Sequence, residues 1–141
     1  IGADLNDTAW FDAIDDSRGV VFFAAGVFYY FLSSDIQKLF TAMAERFKGG
    51  RLSFDAANKK AVKLMLKTWV KAAGITDIDR YFYINNLDTD LKAWLPETEI
   101  SAKGYMLGYH DLKTPSVSGL FRFLAKVGDG YMQMRIVRIN F

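Results

Sequence analysis

Gly19-Val20-Val21-Phe22-Phe23-Ala24-Ala25 is an uninterrupted apolar run rich in β-branched and aromatic residues. A run this short and continuous reads as a strand covered on both faces, the pattern of a parallel sheet held between helices. The next thirty residues extend that pattern. Ser34 with Gln37 three residues later has the form of a capping box, and Ile36, Leu39, Phe40, Met43 and Phe47 then recur at helical spacing. The spacing predicts a helix from about Asp35 to Lys48. Gly49-Gly50 supplies the left-handed conformation that ends a helix, and Arg51-Leu52-Ser53-Phe54-Asp55 resumes as a strand of period two. Strand, helix and strand with short connections place the chain in the α/β class.

Further along, Val62, Met65, Leu66, Trp69 and Val70 form the inward face of a predicted helix from Ala57 to Ala73, stopped by Gly74. Lys60, Lys63, Lys67 and Lys71 share its other side, with Lys59 nearby. They suit an anionic partner or a solvated face, and the near-neutral charge of the chain favours the solvated face. A short helix is expected from Asp88 to Leu95, ahead of Pro96, and a strand from Ile100 to Leu107 interrupted by Gly104. Leu120, Phe121, Leu124 and Val127 give another helical stripe, closed by Gly128. In the final segment, Tyr131 to Phe141, Met132, Met134 and Ile136 alternate on one face and Val137, Ile139 and Phe141 on the other parity. That pattern fits a bulged or doubly covered last strand.

Composition bounds the functions. The 141 residues, 51% of them hydrophobic, fit one domain with a packed core, and no linker or repeat divides them. Eighteen basic and sixteen acidic residues leave a net charge of +2, too weak a field to imply nucleic acid or an anionic membrane as partner. The longest apolar stretch, Gly19 to Leu32, falls short of the roughly 20 residues of a membrane-spanning helix. It is internal and lacks a basic segment before it, so it does not read as a signal peptide. Without cysteine there is no disulfide, thiolate nucleophile or Cys-based zinc site, and a single histidine argues against a His-rich metal site. A cytoplasmic location is the expectation. Ile1 in the place of a Met suggests a chain that begins inside a longer product or follows processing.

In open α/β sheets ligands bind beyond the carboxyl ends of the strands, so the residues after each strand are the ones to inspect. Asp4, in Gly2-Ala3-Asp4-Leu5-Asn6-Asp7, can accept a hydrogen bond from an exocyclic amine while Leu5 packs on a flat heterocycle; the same Asp suits a turn or helix cap. In Ala25-Gly26-Val27-Phe28-Tyr29-Tyr30-Phe31, Gly26 permits close backbone approach and the rings after it suit either a pocket wall or the core. Asp55 can reach a ligand, but a cap for the helix near Ala57 is the better reading. His110, beside Asp111, is the one histidine able to serve as a general base near neutral pH. No nucleophile motif, phosphate-binding loop or zinc spacing occurs.

The runs Ile1-Gly2-Ala3-Asp4-Leu5-Asn6-Asp7-Thr8-Ala9-Trp10, Val21-Phe22-Phe23-Ala24-Ala25-Gly26-Val27-Phe28-Tyr29-Tyr30-Phe31 and Arg51-Leu52-Ser53-Phe54-Asp55 resemble, in order and spacing, segments of the leucine carboxyl methyltransferase superfamily. Within it they are most similar to the O-methyltransferase branch of polyketide biosynthesis, the tetracenomycin type. The resemblance implies the C-terminal half of a class I, S-adenosylmethionine-dependent methyltransferase sheet, Rossmann-like, with its last strand antiparallel. Residues 1–141 would then be part of a single methyltransferase domain. The glycine-rich cofactor loop and the ribose-binding acid of the family's first half have no counterpart in these residues. By the family pattern Asp4 and Leu5 match the pair at the adenine, Gly26 and Val27 the segment beside the methionine portion, and Tyr30 an aromatic residue near the active site. The family commonly carries Glu before the Gly-Val pair; here Ala25 stands there, and no role of that Glu transfers.

The implied function is methyl transfer from S-adenosylmethionine to a hydroxyl or carboxylate of a small molecule, with His110 as the candidate base where the acceptor needs one. The alternative is a non-catalytic, truncated methyltransferase-like binding or assembly module. A sheet cut through its middle exposes an apolar strand edge, so self-association or pairing with the missing half is expected.

Overall fold

The apolar run beginning at Gly19 forms strand β1, Val21–Ala24. The structure is a computed structural model that describes residues 2–74 and 81–141, without the side chain of Trp69. Ile1 of the opening run and the Trp69 side chain expected on an inward face therefore lie outside the described residues. Helix α1, Ser33–Arg46, follows β1 after a 3-10 turn, Phe28–Tyr30. The expected capping box does not form, because the helix starts early: Leu32 occupies the cap position and Ser34 is already inside the first turn. Asp35 in the first turn and Arg46 in the last complement the helix dipole instead. Gly49, at φ +81°, turns the chain out of α1 as anticipated. Gly50 is held for a different reason: a Cβ there would sit 2.8 Å from the Phe47 carbonyl oxygen and 2.9 Å from a Val20 methyl.

Strand β2, Arg51–Ala56, is followed by helix α2, Lys59–Met65, which widens into π-helical turns over Leu66–Val70 and reaches a left-handed Gly74 at φ +80°. Asn58 caps α2, its Oδ1 accepting from the Ala61 N–H at 3.0 Å, so Asp55 is not the cap. The lysines of α2 are exposed; Lys60 lies over the Tyr131 ring at 4.8 Å and Lys59 over Tyr83 at 5.4 Å. A π-helical turn, Asp88–Lys92, precedes Pro96, and strand β3 covers only Glu99–Gly104. Helix α3, Gly119–Lys126, is capped by Ser118 and runs past Gly128 into π-helical turns at Val127–Tyr131. Strand β4, Arg135–Asn140, is the last element.

The four strands form one mixed sheet in the order β1-β2-β4-β3. β1 and β2 are parallel, and β4 lies antiparallel between β2 and β3. β3 therefore points the same way as β1 and β2, and β4 opposes all three. The register aligns Phe22, Leu52, Ile139 and Ile100 in one row and Ala24, Phe54, Val137 and Ala102 in the next. These rows meet Phe28, Ile36, Leu39, Phe40, Met43, Phe47, Phe82 and Leu91 in the principal core. Phe54 stands 5.3 Å from Phe28 and 5.2 Å from Phe40, ring centre to ring centre, and such pairs add about 0.5–1.5 kcal/mol each beyond area burial.

The other face carries Val21, Arg51, Asn140 and Glu99 in one row and Phe23, Ser53, Arg138 and Ser101 in the next. Arg51 Nε donates to Asn140 Oδ1 at 2.9 Å, and Asn140 Nδ2 to Glu99 Oε2 at 2.8 Å, forming a polar ladder across three strands. Val21 and Phe23 are 70% and 75% exposed. The expectation of a strand covered on both faces is thus corrected: among the described residues the core packs on one face of β1 only. The sheet is mixed: β1 and β2 are parallel, as the strand–helix–strand pattern suggests, and the last strand is antiparallel, as the resemblance implies. The α3 stripe is also not core, since Leu120, Phe121 and Leu124 are exposed and Ala125 is the buried residue of that helix. No described helix is long and apolar enough to cross a membrane.

Two substitutions separate these surfaces. Phe40→Ala, at a fully buried ring, is expected to cost about 3–5 kcal/mol in denaturant unfolding, whereas Leu120→Gln on exposed α3 should stay within about 0.5 kcal/mol of the parent.

Candidate functional site

Because β1, β2 and β3 share one direction, their carboxyl ends lie on one edge of the sheet, and antiparallel β4 begins there. A cavity of about 670 Å³ opens at that edge, within the roughly 300–1,000 Å³ range of small-molecule sites. Gly26 follows β1, Asp55 and Ala56 end β2, Tyr105 follows β3, and Met132 and Met134 precede β4. Tyr29 and Tyr30 come from the 3-10 turn, and Ala61, Met65 and Thr68 from α2 and its π-helical extension.

Backbone and side-chain hydrogen bonds hold these walls together. The Asn58 N–H donates to the Met132 carbonyl at 3.1 Å and its side-chain amide to the Tyr131 carbonyl at 2.8 Å, tying the start of α2 to the approach to β4. The Tyr105 N–H donates to the Met134 carbonyl at 3.0 Å. The turn after Tyr105 is fixed by Asp129, whose carboxylate accepts from the Met106 N–H at 2.9 Å and the Leu107 N–H at 2.6 Å. Gly104 and Asp129 are in such close contact that a side chain at Gly104 would collide with the carboxylate.

Asp55 is the polar centre of the cavity. Its Oδ1 accepts from the Gly26 N–H at 2.6 Å, joining the ends of two strands, and Gly26 makes the required bend at φ +66° with open space around a would-be Cβ. The Tyr29 hydroxyl is pushed well above its ordinary value, first by burial, then by the charge of the Asp55 carboxylate and its hydrogen bond with the phenol. Tyr29 therefore remains a phenol at neutral pH and acts as a donor, not a base. No lysine, arginine or histidine lines the cavity among the described residues. Nor do those residues contain a group of three His, Cys, Asp or Glu placed to hold a metal ion.

The sequence-predicted residues divide. Gly26 and Tyr30 meet in the cavity, with Tyr30 half exposed at its wall. Val27 instead packs against the principal core. Asp4 is exposed and its Oδ1 accepts from the Asn6 N–H at 2.9 Å, the turn geometry that suits this residue type; neither it nor Leu5 lines the cavity. His110 is exposed in the segment after β3 and is not brought to Gly26, Tyr30 or Asp55 by the cavity walls. No protein-family model matches the chain, and no curated protein does.

Sequence reasoning passed over Tyr105, Met65, Met132 and Met134 as site residues, and it ranked a cap above a ligand role for Asp55. Inspecting the residues after each strand would have reached Tyr105 had the third strand been ended at Gly104, where the glycine already signalled a break. Met132 and Met134 needed the strand order, since only an antiparallel β4 brings the residues before it to this edge.

The Tyr29 shift has a thermodynamic consequence. With the folded-state value raised, the unfolded chain releases the phenolic proton first as pH rises above the ordinary value of 10.0, so this contribution to stability is present below that pH and lost progressively above it. Tyr29→Phe should therefore show a shallower alkaline loss of stability than the parent in denaturant melts taken between neutral and strongly alkaline pH. Asp55→Ala, which removes the acceptor of the solvent-accessible Gly26 N–H, is expected to cost about 0.5–1.5 kcal/mol in the same melts at neutral pH.

Proposed function

We propose that this chain forms the second half of a class I, S-adenosylmethionine-dependent O-methyltransferase domain of the leucine carboxyl methyltransferase superfamily, acting on a small-molecule acceptor. The observation that carries the proposal is the sheet: two parallel strands, then a last strand inserted antiparallel inside the sheet, with a cavity at the shared carboxyl edge. The antiparallel last strand is the part of this arrangement that the sequence resemblance implies. The exposed apolar side of β1, where Val21 and Phe23 are open, supports it as well, since an apolar patch of this kind suits packing against further structure.

The residues present fit part of the cofactor. Gly26 presents left-handed backbone beside the cavity with room where a side chain would stand, which suits close approach of the methionine portion. Tyr30 stands near it as an aromatic wall. The sulfonium, when bound, supplies an activated methyl group, leaving the protein mainly to position the acceptor oxygen and exclude water. Met65, Met132, Met134, Ala61 and Val62 make the cavity apolar enough for that exclusion. Asp55 is the cavity group able to accept a proton from an acceptor hydroxyl, while His110 is exposed and is not among the lining residues.

A second reading, a non-catalytic methyltransferase-like module that works by association, is favoured by the same open side of β1. Calorimetric titration with S-adenosylhomocysteine, of this chain and of a form that also carries the preceding coding region, separates the two. The methyltransferase reading expects saturable binding to the longer form; binding to neither would overturn it. The association reading expects light scattering to report a species larger than the monomer at micromolar concentration, which Phe23→Lys shifts toward the monomer.

A further inference from the structure

We infer that helix α3 is a membrane-surface element whose outward apolar side lies in the interface of an anionic lipid leaflet. The inference goes beyond the proposed methyl transfer and does not rest on it.

α3 presents its apolar side to solvent. Leu120, Phe123 and Leu124 fall at i, i+3 and i+4, the spacing of one helical face, with Phe121 on its flank, and the four are between 44% and 69% exposed. The buried residue of the helix is Ala125, which stands at least about 100° around the axis from each of the three. The side that meets the domain is therefore not the side that carries the large apolar groups. A cluster of such groups on one exposed helix marks an interaction surface.

Charge selects the occupant. From Leu112 to Gly128 the chain carries Lys113, Arg122 and Lys126 and no Asp or Glu. Among the described residues no carboxylate forms an ion pair with any of them. The carboxylates that bound this run are turned to backbone: Asp111 accepts from the Lys113 N–H at 2.9 Å, and Asp129 from the N–H groups of Met106 and Leu107. The chain-wide net charge of +2 thus conceals a locally basic segment. A helix with Phe and Leu on one side and cations around it has the pattern of helices that lie in the headgroup plane of anionic membranes. There the rings and aliphatic chains enter the acyl boundary, while Lys and Arg extend toward lipid phosphates. No described helix is long and apolar enough to span a bilayer, so α3 would lie along its surface.

Two other occupants fit less well. A second copy would bring the same cations against themselves, with no acidic residue in the segment to offset them. A preceding segment docked at the open side of β1 would stand across the sheet, because α3 joins β3 to β4, the two strands farthest from β1.

Flotation of the full chain with vesicles tests the inference, using phosphatidylcholine and phosphatidylserine in equal parts beside phosphatidylcholine alone. The chain should float with the mixed vesicles, bind phosphatidylcholine alone at least about tenfold more weakly, and dissociate as salt screens the attraction. The double variant Leu120→Gln, Leu124→Gln, at two exposed positions, should keep its circular dichroism and bind the mixed vesicles at least about tenfold more weakly. Lys126→Glu should lose about fivefold or more. Phe23→Gln, which alters the other exposed apolar surface, should bind as the parent does.

No flotation with the mixed vesicles would overturn the inference, as would equal binding to phosphatidylcholine alone or undiminished binding by the folded double variant. Where that variant does not fold, undiminished binding by Lys126→Glu has the same force. Loss of binding in Phe23→Gln would move the contact away from α3 and overturn it too. In light scattering without lipid, a species larger than the monomer that the double variant disperses would assign the face to a second copy instead. A form that also carries the preceding coding region and fails to float would assign it to that segment, and either result overturns the inference.

Discussion

Phe54 is the residue around which the covered face is organised. It comes from β2, which pairs with both β1 and β4, and its ring meets Phe28 from the turn after β1, Phe40 from α1, and Phe82 from the segment before the Asp88 turn. A single aromatic cluster thereby joins elements from the first, middle and later parts of the chain. The constraint it imposes is one-sidedness. All of this packing lies on one face, so the other must be stabilised by polar pairing, as in the Arg51–Asn140–Glu99 ladder, or stay uncovered, as at Val21 and Phe23.

The cavity depends on that one-sided core. β1 and β2 are held in parallel register by rows of core side chains, and their ends are then joined by the Gly26–Asp55 hydrogen bond. A strand displaced by one residue would turn Asp55 into the core and Phe54 out of it. The polar centre of the site is thus positioned by the apolar residue next to it in sequence.

Much of the first half of the fold was legible in the sequence because its signals are local. The β1 run, the helical spacing through Phe47, the left-handed Gly49 and the alternation of β2 each specify their own conformation. Elements whose character depends on distant partners were less legible. The apolar run of β1 does not reveal that one of its faces lacks a cover, and the α3 stripe has the periodicity of a buried helix while remaining exposed. Widening into π-helical turns at Leu66–Val70 and Val127–Tyr131 leaves no mark in hydrophobic spacing. Of the site, Gly26 and Tyr30 were legible as residues after a strand. Asp55 carried the stronger signal of a cap, a role that Asn58, three residues on, performs.

The position of β4 shapes how the molecule must be assembled. Arg51 of β2 pairs with Asn140 of β4 across 89 residues of sequence, and β3 touches the rest of the sheet only through β4. Until β4 inserts, β2 and β3 are strands with unpaired inner edges that nothing local can close. Closing such distant pairs costs chain entropy before it gains contacts, the condition that slows folding. During that interval the open edges of β2 and β3 offer pairing sites to any extended segment nearby. The strand that completes the cavity is therefore also the one that ends the chain's period of greatest exposure to aggregation.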